Sequence, residues 1–182
     1  EGECRIWEMK SREMVSHLKE HTHKVSKVML WHDDLHLVSA GRDKALLLWD
    51  LKTEKRVSAH IQRMGGINSF DLIPDSQLII STGQDRKVTL WDLRQANAAK
   101  IVDTNNNPKK PDECHSIAMS HNGKMFVTGG SEQIVRIWDL GTLKCIEEGG
   151  GHSGTINSVA FSYDDKQVIS GGRDGSIFLW NI

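Results

Sequence analysis

The sequence lacks an excess of charge of either sign. Its 182 residues carry 23 lysines and arginines against 24 aspartates and glutamates. Proteins that bind nucleic acids or membrane surfaces usually present a strongly basic face, and an even charge balance gives no case for either. We therefore expect neither nucleic acid nor membrane among the partners.

Cysteines and long apolar runs are also scarce. Cys4, Cys114 and Cys145 are scattered and form no C-x-x-C pair, which favours small buried thiols in a reducing compartment over a disulfide framework. No apolar run approaches the ~18 residues of a membrane span, and no secretory signal segment is recognisable. The sequence starts inside a repeat without an initiator methionine, so we expect a piece of a longer cytoplasmic chain.

Signals for catalysis and metal binding are missing too. The nine histidines include His21 and His23, two apart, and His32 and His36, four apart. No cysteine or carboxylate cluster completes a metal-ligand set around them. There is no phosphate-binding loop, pair of catalytic acids or activated cysteine. We therefore predict no catalytic residue, no metal and no cofactor.

The chain does contain a repeat. Residues 80–94 read I-S-T-G-Q-D-R-K-V-T-L-W-D-L-R, a strand, a tight Gly-Gln-Asp turn and a second strand. This pattern is typical of a short β-hairpin. It recurs at 38–51, 127–140 and 169–182, with a clipped copy at 3–9. The copies close at Trp7, Trp49, Trp91, Trp138 and Trp180, at spacings of 42, 42, 47 and 42 residues.

Each full repeat is predicted to form four short strands separated by turns. The predicted strands are 25–30, 36–40, 45–49 and 56–59 in the first repeat, 67–72, 78–81, 88–91 and 98–102 in the second, 115–119, 125–128, 135–138 and 144–147 in the third, and 156–161, 167–170 and 177–180 in the last. No stretch keeps a helical apolar period. Strands such as 45–49 are almost wholly apolar, which indicates sheets covered on both faces.

Four strands in each period of about 40–45 residues, closed by Trp-Asp, are typical of the blades of a β-propeller. On these residues the chain resembles the WD40-repeat family over essentially its whole length. We thus predict an all-β fold in which residues 1–182 are part of one WD40 β-propeller. Counting strands gives three complete blades, a fourth without its outer strand and a leading half-blade. The expected structure is a partial ring of about four blades, a fragment of a seven- or eight-bladed propeller whose remaining blades lie elsewhere in the same chain.

The resemblance also implies a buried hydrogen-bonded set in each blade, made of a histidine, a Ser or Thr, an Asp and the closing tryptophan. Two repeats match fully, with His21, Ser39, Asp43 and Trp49, and with His152, Ser170, Asp174 and Trp180. The second keeps Ser81, Asp85 and Trp91 but has Arg63 at the histidine position. The third keeps Thr128 and Trp138, with Glu132 for Asp and Lys110 for His. We expect these two blades to be less rigid. Because the Ser-His-Asp set recurs with the blades and has no nucleophile elbow, we interpret it as structural and not as a hydrolase triad.

Family propellers bind partners on the face that carries the turn between the second and third strands and the start of the inner strand. The matching residues form our predicted protein-binding face: Lys24, Ser26, Arg42, Asn68, Gln84, Glu113, His115, Ser131, Thr155, Asn157 and Arg173. Interface hot spots favour arginine, so Arg42 and Arg173 are the first candidates. The insertion at 103–113 lies at the same face and is a candidate contact loop. Asp71 stands where other repeats carry Met29, Ala118 and Ala160, and is expected to face a wet central channel.

Two finer resemblances point to different functions. The sequences of the blades and their order are similar to the C-terminal half of ciliary and flagellar WD-repeat proteins. The segments that carry this resemblance include EGECRIWEM, STGQDRKVTLWD and GHSGTINSVAFSYDDKQ. This implies a non-enzymatic scaffold in the axoneme, with tubulin and microtubule inner proteins as partners. The alternative is the W-D-L-R sequence at 91–94, which resembles the box used by substrate receptors of cullin-4 ubiquitin ligases. In that case Arg94 would contact the ligase adaptor.

Overall fold

Short antiparallel strands make up the regular structure of the computed structural model, which describes residues 2–95, 98–104 and 113–182. Within these residues there is no helix. The strands form five sheets. The leading half-blade consists of β1 (Glu3–Trp7) and β2 (Met14–Lys19). Blade 1 consists of β3 (Val25–Leu30), β4 (His36–Gly41), β5 (Ala45–Asp50) and β6 (Lys55–Ile61).

The remaining sheets repeat this order. Blade 2 consists of β7 (Ile67–Leu72), β8 (Leu78–Gly83), β9 (Lys87–Asp92) and β10 (Ala98–Asp103). Blade 3 consists of β11 (Cys114–Met119), β12 (Met125–Gly130), β13 (Ile134–Asp139) and β14 (Cys145–Gly150). Blade 4 has three strands, β15 (Ile156–Phe161), β16 (Gln167–Gly172) and β17 (Ile177–Asn181). The predicted all-β, partial-propeller fold is confirmed.

The turn between the second and third strands of each blade has the same backbone conformation. Lys44, Arg86 and Gln133 adopt positive φ angles of 68°, 60° and 67°, and Gly175 adopts 77° at the matching position. A left-handed conformation is unfavourable for residues other than glycine, by roughly 1–2 kcal/mol per residue. The turn is therefore maintained by the strands on either side, and only blade 4 has the glycine that suits it.

Apolar contacts between neighbouring blades form the core. One cluster joins the half-blade to blade 1 through Leu18 and Trp49, and another joins blades 1 and 2 through Leu46 and Phe70. Two further clusters join blade 2 to blade 3 and blade 3 to blade 4. Each inner sheet is thus covered on both faces, which explains the nearly continuous apolar sequence of β5.

The two outermost sheets each keep an uncovered apolar face. On blade 4, Ile177 is 79% exposed and Leu179 is 58% exposed. At the other end of the array, Trp7 is 53% exposed and Val15 is 60% exposed. These contiguous apolar faces resemble the blade faces that are buried inside the array.

Polar side chains on the inner strands link one blade to the next. The Ser26 hydroxyl donates to the Ile67 carbonyl at 2.7 Å, and the Asn68 amide donates to the Cys114 carbonyl at 3.0 Å. Asp71 Oδ2 accepts a hydrogen bond from the Met119 backbone N–H at 2.8 Å. The unusual aspartate on β7 therefore has a partner on the neighbouring blade.

The three cysteines are free. Cys4 and Cys114 are buried, and burial raises the pKa of the Cys114 thiol to about 11. The expectation of buried thiols is wrong for Cys145, which is exposed on the outer strand β14 of blade 3. Outer strands lie far from the blade-to-blade core, so a thiol there remains in solvent.

The bond from Met119 to Asp71 gives the first testable prediction. Asp71→Ala should lower the free energy of unfolding by about 1–3 kcal/mol, because the buried Met119 N–H loses its acceptor. Asp71→Asn keeps an oxygen acceptor and should lose less. Urea denaturation and hydrogen exchange at the Met119 amide measure both effects. Equal stability of Asp71→Ala and the parent protein would contradict the structural role of this bond.

Candidate functional site

Blade 1 contains a buried chain of hydrogen bonds that starts at its closing tryptophan. Trp49 Nε1 donates to Ser39 Oγ at 2.8 Å, and His21 Nε2 lies 2.7 Å from the same oxygen. His21 Nδ1 lies 2.8 Å from Asp43 Oδ2. Because a carboxylate only accepts, the tautomer with the proton on Nδ1 satisfies every contact, and the Ser39 hydroxyl then donates to Nε2.

Blade 4 repeats this arrangement. Trp180 Nε1 donates to Ser170 Oγ at 2.8 Å, and His152 lies 2.8 Å from Ser170 Oγ and 3.0 Å from Asp174 Oδ2. The Asp174 carboxylate also accepts the backbone N–H groups of Ser176 and Ser153. The Ser176 bond is the largest of the effects that lower the pKa of Asp174 to about 2.

The serine hydroxyls of these sets cannot reach a substrate. Ser39 and Ser170 are both fully buried at 0% exposure, and each hydroxyl is already engaged by a tryptophan and a histidine. A nucleophile must contact the reacting atom, so this geometry has no route to Ser-His-Asp catalysis.

In blade 2 the chain of hydrogen bonds is incomplete. Trp91 Nε1 donates to Ser81 Oγ at 2.8 Å, as in the other blades. Arg63, at the histidine position, is exposed. The Asp85 carboxylate accepts only the Lys87 backbone N–H, at 3.3 Å, among the hydrogen bonds of the described residues. Burial raises the pKa of Asp85, whereas its counterpart in blade 4 has a lowered pKa.

Blade 3 uses different residues again. Trp138 Nε1 donates to Thr128 Oγ1 at 2.9 Å. Glu132 forms an ion pair with Arg136, whose Nε donates to Glu148 at 2.8 Å. Lys110, predicted at the histidine position, lies outside the described residues, as does the 105–112 part of the candidate contact loop.

Sequence reasoning missed Arg136, although a signal was present. Leu47, Thr89 and Phe178 occupy the matching third-strand position in the other blades. An arginine at this position, four residues after the unusual Glu132, indicated a charge pair specific to blade 3. The expectation that blades 2 and 3 are less rigid stays a prediction.

The residues of the predicted protein-binding face lie at one end of the blades. The inner strand of each blade begins opposite the glycine that ends its second strand, as in the pairing of Val25 with Gly41 and of Ile156 with Gly172. This register places the starts of the inner strands and the turns after β4, β8, β12 and β16 together. We call this end of the array the turn face.

Several side chains on the turn face bond within the protein. Ser26 and Asn68 form the links between blades described above. Gln84 Oε1 accepts the Gly66 N–H at 3.0 Å, and Ser131 Oγ accepts the Glu113 N–H at 2.7 Å. These four side chains therefore support the face itself. His115 and Thr155 are partly buried.

Four other residues of the turn face are free to meet a partner. Lys24, Arg42, Asn157 and Arg173 are exposed. Within the described residues none of the three cations forms an ion pair. The open part of the turn face is thus basic.

Arg94 lies at the opposite end of blade 2, after β9. Its Nε and Nη2 atoms donate to the two carboxylate oxygens of Asp92 at 2.8 and 2.7 Å. This pair holds the pKa of Asp92 at about 2. The side chain remains 69% exposed.

Across residues 2–95, 98–104 and 113–182, no group of three or more His, Cys, Asp or Glu side chains is placed to hold a metal ion. No helix there is long and apolar enough to cross a membrane.

The repeats match those of known proteins. A family model of the WD domain, G-beta repeat (WD40), matches residues 12–50, 52–92, 106–139 and 143–181. The chain belongs to the WD40-repeat family. Among individual proteins it is similar to Cilia- and flagella-associated protein 52 of Chlamydomonas reinhardtii, with 31% identity over 85 residues. That alignment covers 47% of this chain and 13% of the algal protein.

The two serines that hold tryptophans in blades 1 and 2 offer a matched pair of variants. Ser39→Ala leaves both the Trp49 N–H and His21 unpaired, whereas Ser81→Ala leaves only the Trp91 N–H unpaired. Each buried group left without a partner costs about 1–3 kcal/mol, so Ser39→Ala should lose more stability. Chemical denaturation of both variants measures the difference. Equal losses would show that His21 contributes nothing through Ser39.

The lowered pKa of Asp174 predicts that the stability of the protein depends on pH in the acid range. Its pKa is lowered from 3.8 to about 2 in the folded protein, so its stabilisation is complete above pH 3.8 and is lost as the pH falls through about 2. Asp174→Asn should therefore flatten the decline of stability in that range. Thermal unfolding at a series of pH values measures the slope, and an unchanged slope in the variant would refute the assignment.

Proposed function

We propose that this protein is a non-enzymatic scaffold that binds other proteins through its turn face. The observation that carries this proposal is the set of exposed cations Lys24, Arg42 and Arg173, which have no ion-pair partner in the described residues and project from a rigid array of blades. The side chains of the repeated Ser-His-Asp sets bond to one another, and their serine hydroxyls are buried away from any substrate. Function on rigid scaffolds is carried disproportionately by surface loops.

The proposed setting is the axoneme of a cilium or flagellum. Support comes from the similarity to a cilia- and flagella-associated protein and from the amino-acid sequences of the blades. The proposed partners are tubulin and neighbouring microtubule inner proteins, and a basic turn face suits an acidic partner surface because complementary charges guide association.

We also propose that residues 1–182 are part of one larger propeller. The exposed apolar faces around Ile177 and Trp7 match faces that neighbouring blades cover inside the array. Further blades of the same full-length chain would cover them in the same way. The blade-to-blade packing seen inside the array would then explain both exposed apolar faces.

Charge reversal tests the turn face. Arg42→Glu/Arg173→Glu in the full-length protein should reduce capture of its partners about tenfold or more, because both guanidiniums become carboxylates. Proximity labelling in ciliated cells, followed by quantitative mass spectrometry, measures the partner set.

The matched control is Lys52→Glu/Lys166→Glu, which makes the same charge change on blades 1 and 4 but in exposed turns at the opposite end. This control should leave the partner set unchanged. An unaltered partner set in the Arg42/Arg173 variant, or an equal loss in the control, would refute the assigned face. A neighbourhood rich in cullin-4 components instead of tubulin would favour the ligase alternative through Arg94.

A further inference from the structure

Blade 2 contains a cavity of about 310 Å³ beside its incomplete hydrogen-bonded set. Its lining comes from the end of β6, the segment that follows it, the turn after β8, and strands β9 and β10, and it includes Gln62, Arg63, Asp85 and Lys87. The volume is at the lower end of the range of ligand pockets in proteins. The cavity borders Asp85, the counterpart of the two aspartates that bind histidines in blades 1 and 4.

Two side chains of the lining, the partly buried Asp85 and the buried Gln62, keep acceptor capacity that is not used. Asp85 accepts one long hydrogen bond, from the Lys87 backbone at 3.3 Å. Gln62 is 5% exposed; its Nε2 donates to the Met64 carbonyl at 2.9 Å, but its Oε1 has no hydrogen-bond partner. A buried acceptor without a donor is unfavourable. Asp85 and Gln62 could therefore each accept a further N–H donor.

The cations near the cavity do not supply these donors. Arg63 is exposed, and Lys87 contacts Asp85 only through its backbone. Within the described residues, neither side chain forms an ion pair or a side-chain hydrogen bond with Asp85. The positive charge of Lys87 still acts on the carboxylate from a distance, but no cation of the described residues pairs with it directly.

The rim of the cavity is apolar. Ile61, Met64 and Ile101 line it and are 61%, 70% and 52% exposed. An apolar rim above buried oxygen acceptors suits a side chain with an aliphatic stem and a cationic end. Arginine matches best, because its planar guanidinium carries five N–H donors and can bond a carboxylate and an amide oxygen together.

We propose that this cavity receives an arginine side chain from a partner protein, whose guanidinium takes the place of the missing histidine beside Asp85. Part of the lining, Gln62 to Met64 and Asp85, comes from the segment before β7 and the turn after β8, so this end of the cavity lies at the turn face. The inference rests on the proposed function in one respect, that this end of the blades binds protein. It adds the chemistry that a partner must present.

The test uses the full-length protein and N-acetyl-arginine methylamide as the probe, with binding followed by saturation-transfer NMR. The citrulline analogue has a nearly identical shape but no charge, and it should bind at least about tenfold more weakly. Asp85→Asn should weaken binding of the arginine probe by a similar factor. Arg63→His should abolish binding, because an imidazole at this position can occupy the cavity and bond Asp85, as His21 does with Asp43.

The control for Arg63→His is Arg12→His, the same substitution in an exposed turn of the half-blade, which should leave binding unchanged. Melting temperatures accompany each variant, and Arg63→His should melt no lower than the parent protein because it completes a buried hydrogen-bonded set. Loss of binding in this intact variant supports the site. Undiminished binding in Arg63→His, or equal binding of the arginine and citrulline probes, would overturn it. Because the probe needs no partner, this result is separate from the charge-reversal test of the turn face.

Discussion

The structure depends on the burial of one blade against the next. No single sheet of three or four short strands has an interior of its own, so each covers its apolar faces only with its neighbours. This explains why Leu46 and Leu47, adjacent on β5 and pointing to opposite faces, are both buried. It also explains why equivalent residues become exposed on the outermost sheets, as Leu179 does on blade 4.

The same sheet geometry accommodates three arrangements around the closing tryptophan. Blades 1 and 4 place a histidine between a hydroxyl and a carboxylate. Blade 3 has the ion pair of Glu132 and Arg136 in this region. Blade 2 leaves a cavity beside Asp85. The bond from tryptophan to hydroxyl is present in all four blades and therefore belongs to the common architecture. The blades differ in the residues at the histidine and aspartate positions.

Much of the fold could be predicted because the information is local and repeated. Alternating turns and apolar strands located the ends of β3 to β17 to within about three residues, and the spacing of the tryptophans aligned the repeats with one another. The second strands run further than predicted, to the glycines, because pairing with the inner strand continues to residues such as Gly41. Cys145 was placed wrongly, since periodicity does not tell how far an outer strand lies from the core.

The sequence by itself determined the family, the number of blades and the hydroxyl residue that bonds the closing tryptophan of each of the four blades, because each of these follows from a pattern that recurs along the chain. Only the tertiary structure decided how individual polar side chains are used. Ser26, Asn68 and Gln84 carry the residue types of a binding surface, yet they bond to neighbouring backbone, whereas Arg42 remains free. The groups that bond to such a side chain come from the adjacent blade or turn. Their positions relative to it cannot be read from the spacing of residues along the sequence.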